Sequence, residues 1–376
     1  MKAKQIGLIR NKNKKDPLFI SYLILIWALL MIVALLVTLL TPKKVENRYY
    51  EEQIASATLA KTAMEKIKER KIELGISFPK EDAYQSGMIG EWFSDITTTS
   101  GMIGAKRTAI NPDFAAVYID MFREAGLKKG DEVALVMSSS FPTLNISALA
   151  AIQVYELDAC VMASIGSSTY GANNVDFTFF DMAEYLYNEG ILTTRIDYVS
   201  FGGANDDGYE FPEEVRNSIL DRINKSGVEF LCESDFEKNI KMRTDLILNE
   251  CPDIKMLISV GGTLVAMGEG DTGSTLYRGL VQPTYLRTNK KVNDSKYGLL
   301  DTFLNRGIPV VQMLNIKGIA LDYGVSYDPD VMPQIGTCDA YYEVSYNIVI
   351  PIISICLSLG LLAAYFVYQK KKIKGE

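Results

Sequence analysis

The 376-residue chain contains no histidine. This absence excludes serine and cysteine hydrolases that use a histidine base, and it excludes zinc sites built on imidazole nitrogens. Hydrolytic chemistry would need a serine–lysine pair, a pair of carboxylates or a hard cation held by carboxylates.

Cofactor motifs are missing as well. The sequence has no C-x-x-C pair, no G-x-x-x-x-G-K-[ST] loop and no G-x-G-x-x-G turn after its apolar segments. We therefore expect no cofactor and no metal. Cysteines are few, and Cys160, which begins an apolar run, is interpreted as a buried small hydrophobic residue. Cys160, Cys232, Cys251 and Cys338 could form two disulfide bridges in three ways, and their spacing selects none of them.

Two long runs without any charge lie near the ends of the chain, at 18–40 and at 347–368. Each run is long enough, as a helix, to cross a hydrocarbon core of about 30 Å. The second run contains the fifth cysteine, Cys356. The sequence therefore predicts two transmembrane helices at these positions.

The charges that flank the two runs predict an orientation. Residues 1–17 carry a net charge of +5 and residues 369–376 carry +3, and positively charged flanks stay in the cytoplasm. We expect two cytoplasmic basic tails, an inner-membrane location and an extracytoplasmic domain at 41–346. Because the whole chain carries −7, the stretch between the tails carries −15, which argues against nucleic acid as a partner. A polyanionic ligand would need a locally basic or amide-rich pocket.

Between the apolar runs, short apolar segments alternate with helix-like segments. Alternation of this kind is typical of an α/β fold with a doubly wound, mostly parallel sheet. A membrane-proximal helix is predicted at 46–75, and a second helix, opened by Asn111 as its N-cap, ends at Glu124. Strands are predicted at 132–137, 159–163, 196–201, 255–260 and 308–314, further helices at 144–155, 175–188 and 212–225, and surface insertions at 268–274 and 287–296.

Each predicted strand ends in a loop rich in serine, glycine or asparagine. Ligands of open α/β sheets bind outside the carboxyl ends of the strands, so we expect a pocket for a carboxylate or phosphate at this edge. The candidate ligand-binding residues are Ser138, Ser139, Ser140, Asn145, Ser167, Ser168, Asn173, Gly202, Gly203, Asp206, Asp207, Gly261, Gly262, Thr263, Asn315 and Lys317. Some of them also fit structural roles: the 138–140 serines as helix caps, Asp206 and Asp207 as turn residues, and Lys317 as a solvated lysine.

Several of these loops resemble segments of the bacterial poly-γ-glutamate system protein family. The similar segments are Ile96–Thr99, Ala105–Pro112, Ser140–Asn145, Gly166–Asn173, Gly202–Gly208 and Val311–Tyr323, within about residues 90–330. The resemblance implies a membrane-anchored accessory protein that works with other subunits in the synthesis or export of poly-γ-glutamate, an anionic capsule or secreted polymer. It brings no known catalytic constellation with it.

Two function classes stay open on the sequence. In the first, the protein is not an enzyme and its strand-end loops bind or guide the anionic polymer or a γ-glutamyl carboxylate. In the second, it is an extracytoplasmic hydrolase or transferase that acts on γ-glutamyl bonds without histidine. The nucleophile would then be Ser138, Ser139, Ser140, Ser167 or Ser168, with Ser140 and Ser168 as the leading candidates. A lysine such as Lys317 would be the base, and loop N–H groups would form the oxyanion hole.

Overall fold

The computed structural model describes residues 17–269, 277–285 and 297–374. Residues 1–16 of the predicted tail at 1–17 and residues 375–376 of the predicted tail at 369–376 lie outside these residues. So do residues 270–274 of the first predicted insertion and the second insertion at 287–296. The chain divides into two units, one built from both chain ends and the other from Asn47–Tyr341. We call the second one the α/β unit.

The elements are numbered in chain order. The helices are α1 (Pro17–Leu40), α2 (Tyr50–Glu73), α3 (Ile103–Ala109), α4 (Phe114–Glu124), α5 (Pro142–Tyr155), α6 (Phe179–Asn188), α7 (Glu213–Ser226), α8 (Phe236–Glu250), α9 (Leu264–Met267), α10 (Leu299–Asn305), α11 (Ile316–Asp322) and α12 (Val349–Lys374). The strands are β1 (Lys43–Glu46), β2 (Thr97–Thr99), β3 (Glu132–Ser138), β4 (Asp158–Ser164), β5 (Ser167–Ser168), β6 (Tyr198–Ser200), β7 (Glu229–Leu231), β8 (Met256–Val260), β9 (Gly279–Val281), β10 (Val310–Met313) and β11 (Tyr342–Ser345).

The unit formed by the chain ends contains two helices and a short two-stranded sheet. β1 pairs antiparallel with β11, with Lys43 opposite Ser345. α1 packs against α12, and the indole Nε1 of Trp27 donates a hydrogen bond to Ser358 Oγ at 2.6 Å.

The structure corrects the predicted membrane topology. A helix that crosses a bilayer needs about 20 consecutive apolar residues. Across the part of the chain that the structure describes, no helix has both the length and the apolar character that a span requires. The prediction of transmembrane helices at 18–40 and 347–368 is therefore wrong. The inner-membrane location, the cytoplasmic tails and the extracytoplasmic placement of 41–346, which depended on those helices, are corrected with it.

The α/β unit is built on a seven-stranded mixed sheet. The strand order is β7-β6-β4-β3-β8-β10-β9, and each neighbouring pair is parallel except β10 and β9, which are antiparallel. The first strand of this sheet along the chain is β3, and the next three, β4, β6 and β7, are added in turn on one side of it. The chain then returns and places β8 on the other side of β3. Leu135 of β3 accordingly lies between Val161 of β4 and Ile258 of β8. The strand order therefore reverses between β3 and β8, which is where ligands bind in open α/β sheets.

Both faces of this sheet are buried. Ala134 and Val136 of β3 belong to a core cluster with Ile247 of α8 and Phe303 of α10. Because side chains alternate along a strand, Leu135, which lies between these two residues, points to the other face of the sheet. Leu135 is fully buried as well. Burial on both faces explains why β3, β4 and β8 are continuous apolar runs.

Two helices begin a few residues after the predicted position. The helix predicted from 175 begins at Phe179, because Thr178 and Asp181 form a reciprocal capping box there. The helix predicted from Asn111 begins at Phe114, and the Asn111 carboxamide oxygen instead accepts the backbone N–H of Asp113 at 3.0 Å. The helix predicted at 46–75 is α2, which packs on α4 and α5.

Candidate functional site

The loops at the carboxyl ends of the parallel strands surround a cavity of about 760 Å³, which we call the strand-end cavity. It lies at the point where the strand order reverses, since its wall includes the residues that follow β3 and β8. Eight of the predicted ligand-binding residues line it: Ser138, Ser140, Ser168, Gly203, Gly262, Thr263, Asn315 and Lys317. Apolar side chains complete the wall: Met102, Phe141, Leu264, Met267, Leu314 and Ile316.

The β3 and β8 loops approach each other closely beside the cavity. The Ser138 hydroxyl donates a long hydrogen bond of 3.4 Å to the carbonyl oxygen of Val260. Gly261 has a φ of +93°, and a Cβ at this position would lie 2.0 Å from Ser138 Oγ. A glycine is therefore required at 261 for the two loops to meet, and Gly261 supports the wall without lining it.

Four of the predicted ligand residues instead hold the loops together. The Ser139 hydroxyl donates to the Ser164 carbonyl at 2.8 Å, and the Ser167 hydroxyl donates to the Ser139 carbonyl at 3.1 Å. The Asn145 amide donates to the Ser138 carbonyl at 2.8 Å, and the Asn173 amide donates to the Glu91 carbonyl at 2.8 Å. These side chains position the cavity wall, and none of them lines it.

The Gly202–Gly208 loop is fixed by a buried ion pair. Asp206 is 5% exposed, and its carboxylate accepts hydrogen bonds from Arg243, from Asn239 Nδ2 at 3.0 Å and from Ser200 Oγ at 2.7 Å. The Asp207 carboxylate accepts the N–H of Tyr209 at 3.0 Å within the turn. Of the four residues predicted in this loop, Gly203 reaches the cavity, whereas Gly202, Asp206 and Asp207 do not.

A lysine that the sequence reasoning did not propose as a site residue lies beside the cavity wall. Lys106 of α3 is 3% exposed, and its ammonium nitrogen donates to the Ser140 carbonyl and, at 2.6 Å, to Ser168 Oγ. The same nitrogen lies 3.9 Å from the centroid of the Phe141 ring. Burial lowers the pKa of Lys106 from 10.5 to about 7. One sequence signal was present: Lys106 shares a helical face with Ile103 and Ile110, which lie three residues before it and four residues after it.

Lys317, the base proposed from the sequence, has a different environment. It is exposed on α11, its ammonium nitrogen lies 5.7 Å from the centroid of the Tyr327 ring, and it lines the cavity. Among the described residues it forms neither an ion pair nor a hydrogen bond to a serine hydroxyl. The lysine that contacts a cavity serine is Lys106, so the pairing of Lys317 with Ser140 or Ser168 is corrected.

Comparisons with known proteins give no family assignment. No family model matches the chain, and no curated protein matches it. One solved structure, the multiple substrate aminotransferase from Thermococcus profundus, is similar at 15% identity over 45% of this chain, with a TM-score of 0.13. The match spans 40% of the length of that protein. A similarity of this size carries no argument about fold or activity. What the structure defines is an α/β unit with a cavity at its strand switch point.

Replacing Gly171 with alanine is expected to destabilise the α/β unit by about 1–3 kcal/mol, because the interior cannot absorb an inserted methyl group there. The new Cβ would lie 2.8 Å from the carbonyl oxygens of both Ser139 and Ser140. Gly262→Ala is the matched control at the same edge, since its Cβ would meet Leu314 at an ordinary 3.4 Å. Urea unfolding of both variants measures the difference, and equal stability of the two would contradict this packing account.

Proposed function

We propose that the strand-end cavity binds a ligand that carries a carboxylate, of the γ-glutamyl class. The observation that carries the proposal is the placement of the Lys317 side chain in the wall of a large cavity at the strand switch point. Within the described residues, no carboxylate neutralises this lysine. A bound carboxylate would supply the counter-charge.

The wall also contains one carboxylate. Glu210 lines the cavity, but one of its carboxylate oxygens accepts the backbone N–H of Ala204 at 2.9 Å. The chain as a whole carries −7, so its overall field repels anions. An anionic ligand is therefore held by local groups, namely Lys317 and the hydroxyls of Ser140 and Thr263.

The apolar part of the wall is suited to the rest of such a ligand. Met102, Phe141 and Leu314 present surface that can pack against methylene groups, and a γ-glutamyl unit has two of these between its backbone carbon and its side-chain carbonyl. The polymer class itself is supported by the segment resemblance between residues 90 and 330. We infer on the same ground that the protein works beside other proteins of poly-γ-glutamate synthesis or export.

Calorimetric titration of γ-linked triglutamate into the intact chain at low salt tests the proposal. We expect one binding site, and we expect Lys317→Gln to weaken binding at least tenfold, because a hydrogen bond to a charged group contributes about 1.5–3 kcal/mol. α-Linked triglutamate, titrated in parallel, measures the preference for the γ linkage.

The matched control is Lys255→Gln, which removes the same charge at the opposite edge of the sheet. Lys255 immediately precedes β8 and pairs with Asp253 at 2.6 Å. We expect this variant to bind like the unaltered chain. Absence of heat at millimolar ligand, or equal affinities of the two glutamine variants, would contradict the proposed function.

A further inference from the structure

Lys106 is an amine held in a dry environment, and among the residues that the structure describes it has no acidic partner. It is 3% exposed, the Phe141 ring covers it at 3.9 Å, and burial alone accounts for the lowered pKa of about 7. Near neutral pH a large share of such lysines is uncharged. An uncharged amine can accept the proton of a hydroxyl that it contacts, as a general base does.

Lys71, the other described lysine whose pKa burial lowers, shows what a structural buried lysine looks like in this fold. It donates to the Gly87 carbonyl, and the carboxylates of Asp82 and Glu91 favour its charged form, so burial lowers its pKa only to about 8. Lys71 does not line the strand-end cavity. Lys106 does not line the cavity either, but it contacts the Ser168 hydroxyl, which does. Unlike the pKa of Lys71, the pKa of Lys106 is not raised by any carboxylate among the described residues.

Charged groups on the elements around Lys106 do not explain its lowered pKa. Arg107 on the same helix binds Asp328 through two hydrogen bonds of 2.6 and 2.7 Å. Lys317 and Glu210 line the cavity, and neither contributes to the lowered pKa of Lys106. The β3 and β4 loops present only hydroxyls, carbonyls and the Phe141 ring to the amine.

Ser168 is the hydroxyl placed to react. Its Oγ lies 2.6 Å from the Lys106 nitrogen, within reach for direct proton transfer. Its own N–H donates to Ser140 Oγ at 3.0 Å, which fixes the β5 backbone against the β3 loop. The Cβ that a larger residue would add at Gly101 would lie 3.0 Å from Ser168 Oγ, so a glycine at 101 leaves this oxygen room.

We propose that Ser168 and Lys106 form a nucleophile–base pair that cleaves or transfers the acyl group of a γ-glutamyl amide or ester bound in the strand-end cavity. This activity rests on the proposed ligand binding, because the cavity must present the acyl carbon to Ser168.

The reaction balances with groups that are present and with water or an amine as co-reactant. Ser168 Oγ forms a bond to the acyl carbon while its proton passes to the Lys106 nitrogen. The bond from that carbon to the leaving nitrogen or oxygen then breaks, and the leaving group takes the proton from Lys106. Water, or the amine of a second chain, attacks the Ser168 ester, gives a proton to Lys106 and releases the acyl group, and the proton returns to Ser168 Oγ.

The test uses the intact chain and the γ-p-nitrophenyl ester of N-acetylglutamate. We expect a burst of p-nitrophenolate and a mass increase of one acyl group on the peptide that contains Ser168. Ser168→Ala is expected to abolish both signals, and Lys106→Met to slow the burst about 10²–10⁴-fold. The burst rate is expected to rise with pH through about 7, where Lys106 loses its proton.

Lys71→Met is the control, since it removes a buried lysine away from the cavity and should keep the burst. Calorimetry with γ-linked triglutamate on Ser168→Ala separates the two proposals and reports whether this small change leaves the fold intact. Retained triglutamate binding without any burst in the unaltered chain would overturn the nucleophile–base pair and leave ligand binding standing. A mass increase that survives in Ser168→Ala, or a burst independent of pH, would also overturn it. A Ser168-dependent burst without triglutamate binding would support the pair and contradict the proposed ligand.

Discussion

Replacing Arg243 with methionine is expected to destabilise the α/β unit by about 3–5 kcal/mol, because it leaves the buried charge of Asp206 without its partner. Both side chains are almost fully buried, Arg243 at 3% exposed and Asp206 at 5%. The Ser200 hydroxyl and the Asn239 amide would remain bonded to the carboxylate, but neither of them carries a charge. Urea unfolding measures the loss of free energy of unfolding.

The matched control lies on the same helix. Lys241 pairs with Asp245 on the exposed side of α8, so Lys241→Met should cost less than about 1 kcal/mol. Adding Asp206→Asn to Arg243→Met should recover part of the stability, because the uncompensated charge is removed and asparagine tolerates the φ of +60° found at 206. If Arg243→Met costs no more than Lys241→Met, the pair does not hold the Gly202–Gly208 loop.

Stability is expected to rise by about 2 kcal/mol between pH 7 and pH 9 through Lys106 alone. Burial lowers the pKa of this lysine from 10.5 to about 7. Between these two values the unfolded chain binds a proton that the folded chain does not, so the free energy of unfolding increases with pH at about 1.4 kcal/mol per unit. Below pH 7 both states bind the proton, and the cost of burying the charge is present in full.

The measurement compares the unaltered chain with Lys106→Met by urea unfolding at pH 6, 7, 8 and 9. Other groups that titrate in this range, Lys71 among them, are shared by both proteins and cancel in the difference. We expect the difference to be constant from pH 6 to 7 and then to change in favour of the unaltered chain. Lys255→Met, which alters an exposed lysine, should show no such change. A difference that stays constant up to pH 9 would mean that Lys106 is not buried as a free amine.

Much of the sheet could be predicted, because burial on both faces leaves a continuous apolar run. The strands predicted at 132–137, 159–163 and 255–260 are β3, β4 and β8, each within one residue at either end. β7 and β9 are three-residue strands at the two edges of the sheet, and the sequence predicted no strand at either position. α8 was missed as well, since its buried face includes polar residues such as Asn239 and Arg243.

The site could be predicted only as an edge of the sheet. The order of strands and loops along the sequence predicts that the loops after β3, β8 and β10 lie at this edge. Ser138, Thr263 and Lys317 from these loops do line the cavity. This order does not distinguish residues that face the cavity from those that tie loops together, because that depends on contacts between distant segments. Asp206 and Arg243 are 37 residues apart, and Lys106 and Ser168 are 62 apart. The prediction of membrane spans at the two long apolar runs was wrong, since no described helix has the length and apolar character of a span.

A crystal structure of the intact chain with γ-linked triglutamate at saturating concentration would show whether the strand-end cavity is a carboxylate site. We expect ligand density between the loops that follow β3 and β8, with one carboxylate about 2.7–2.9 Å from the ammonium of Lys317. Ligand bound elsewhere on the chain, or a cavity without ligand under these conditions, would contradict it.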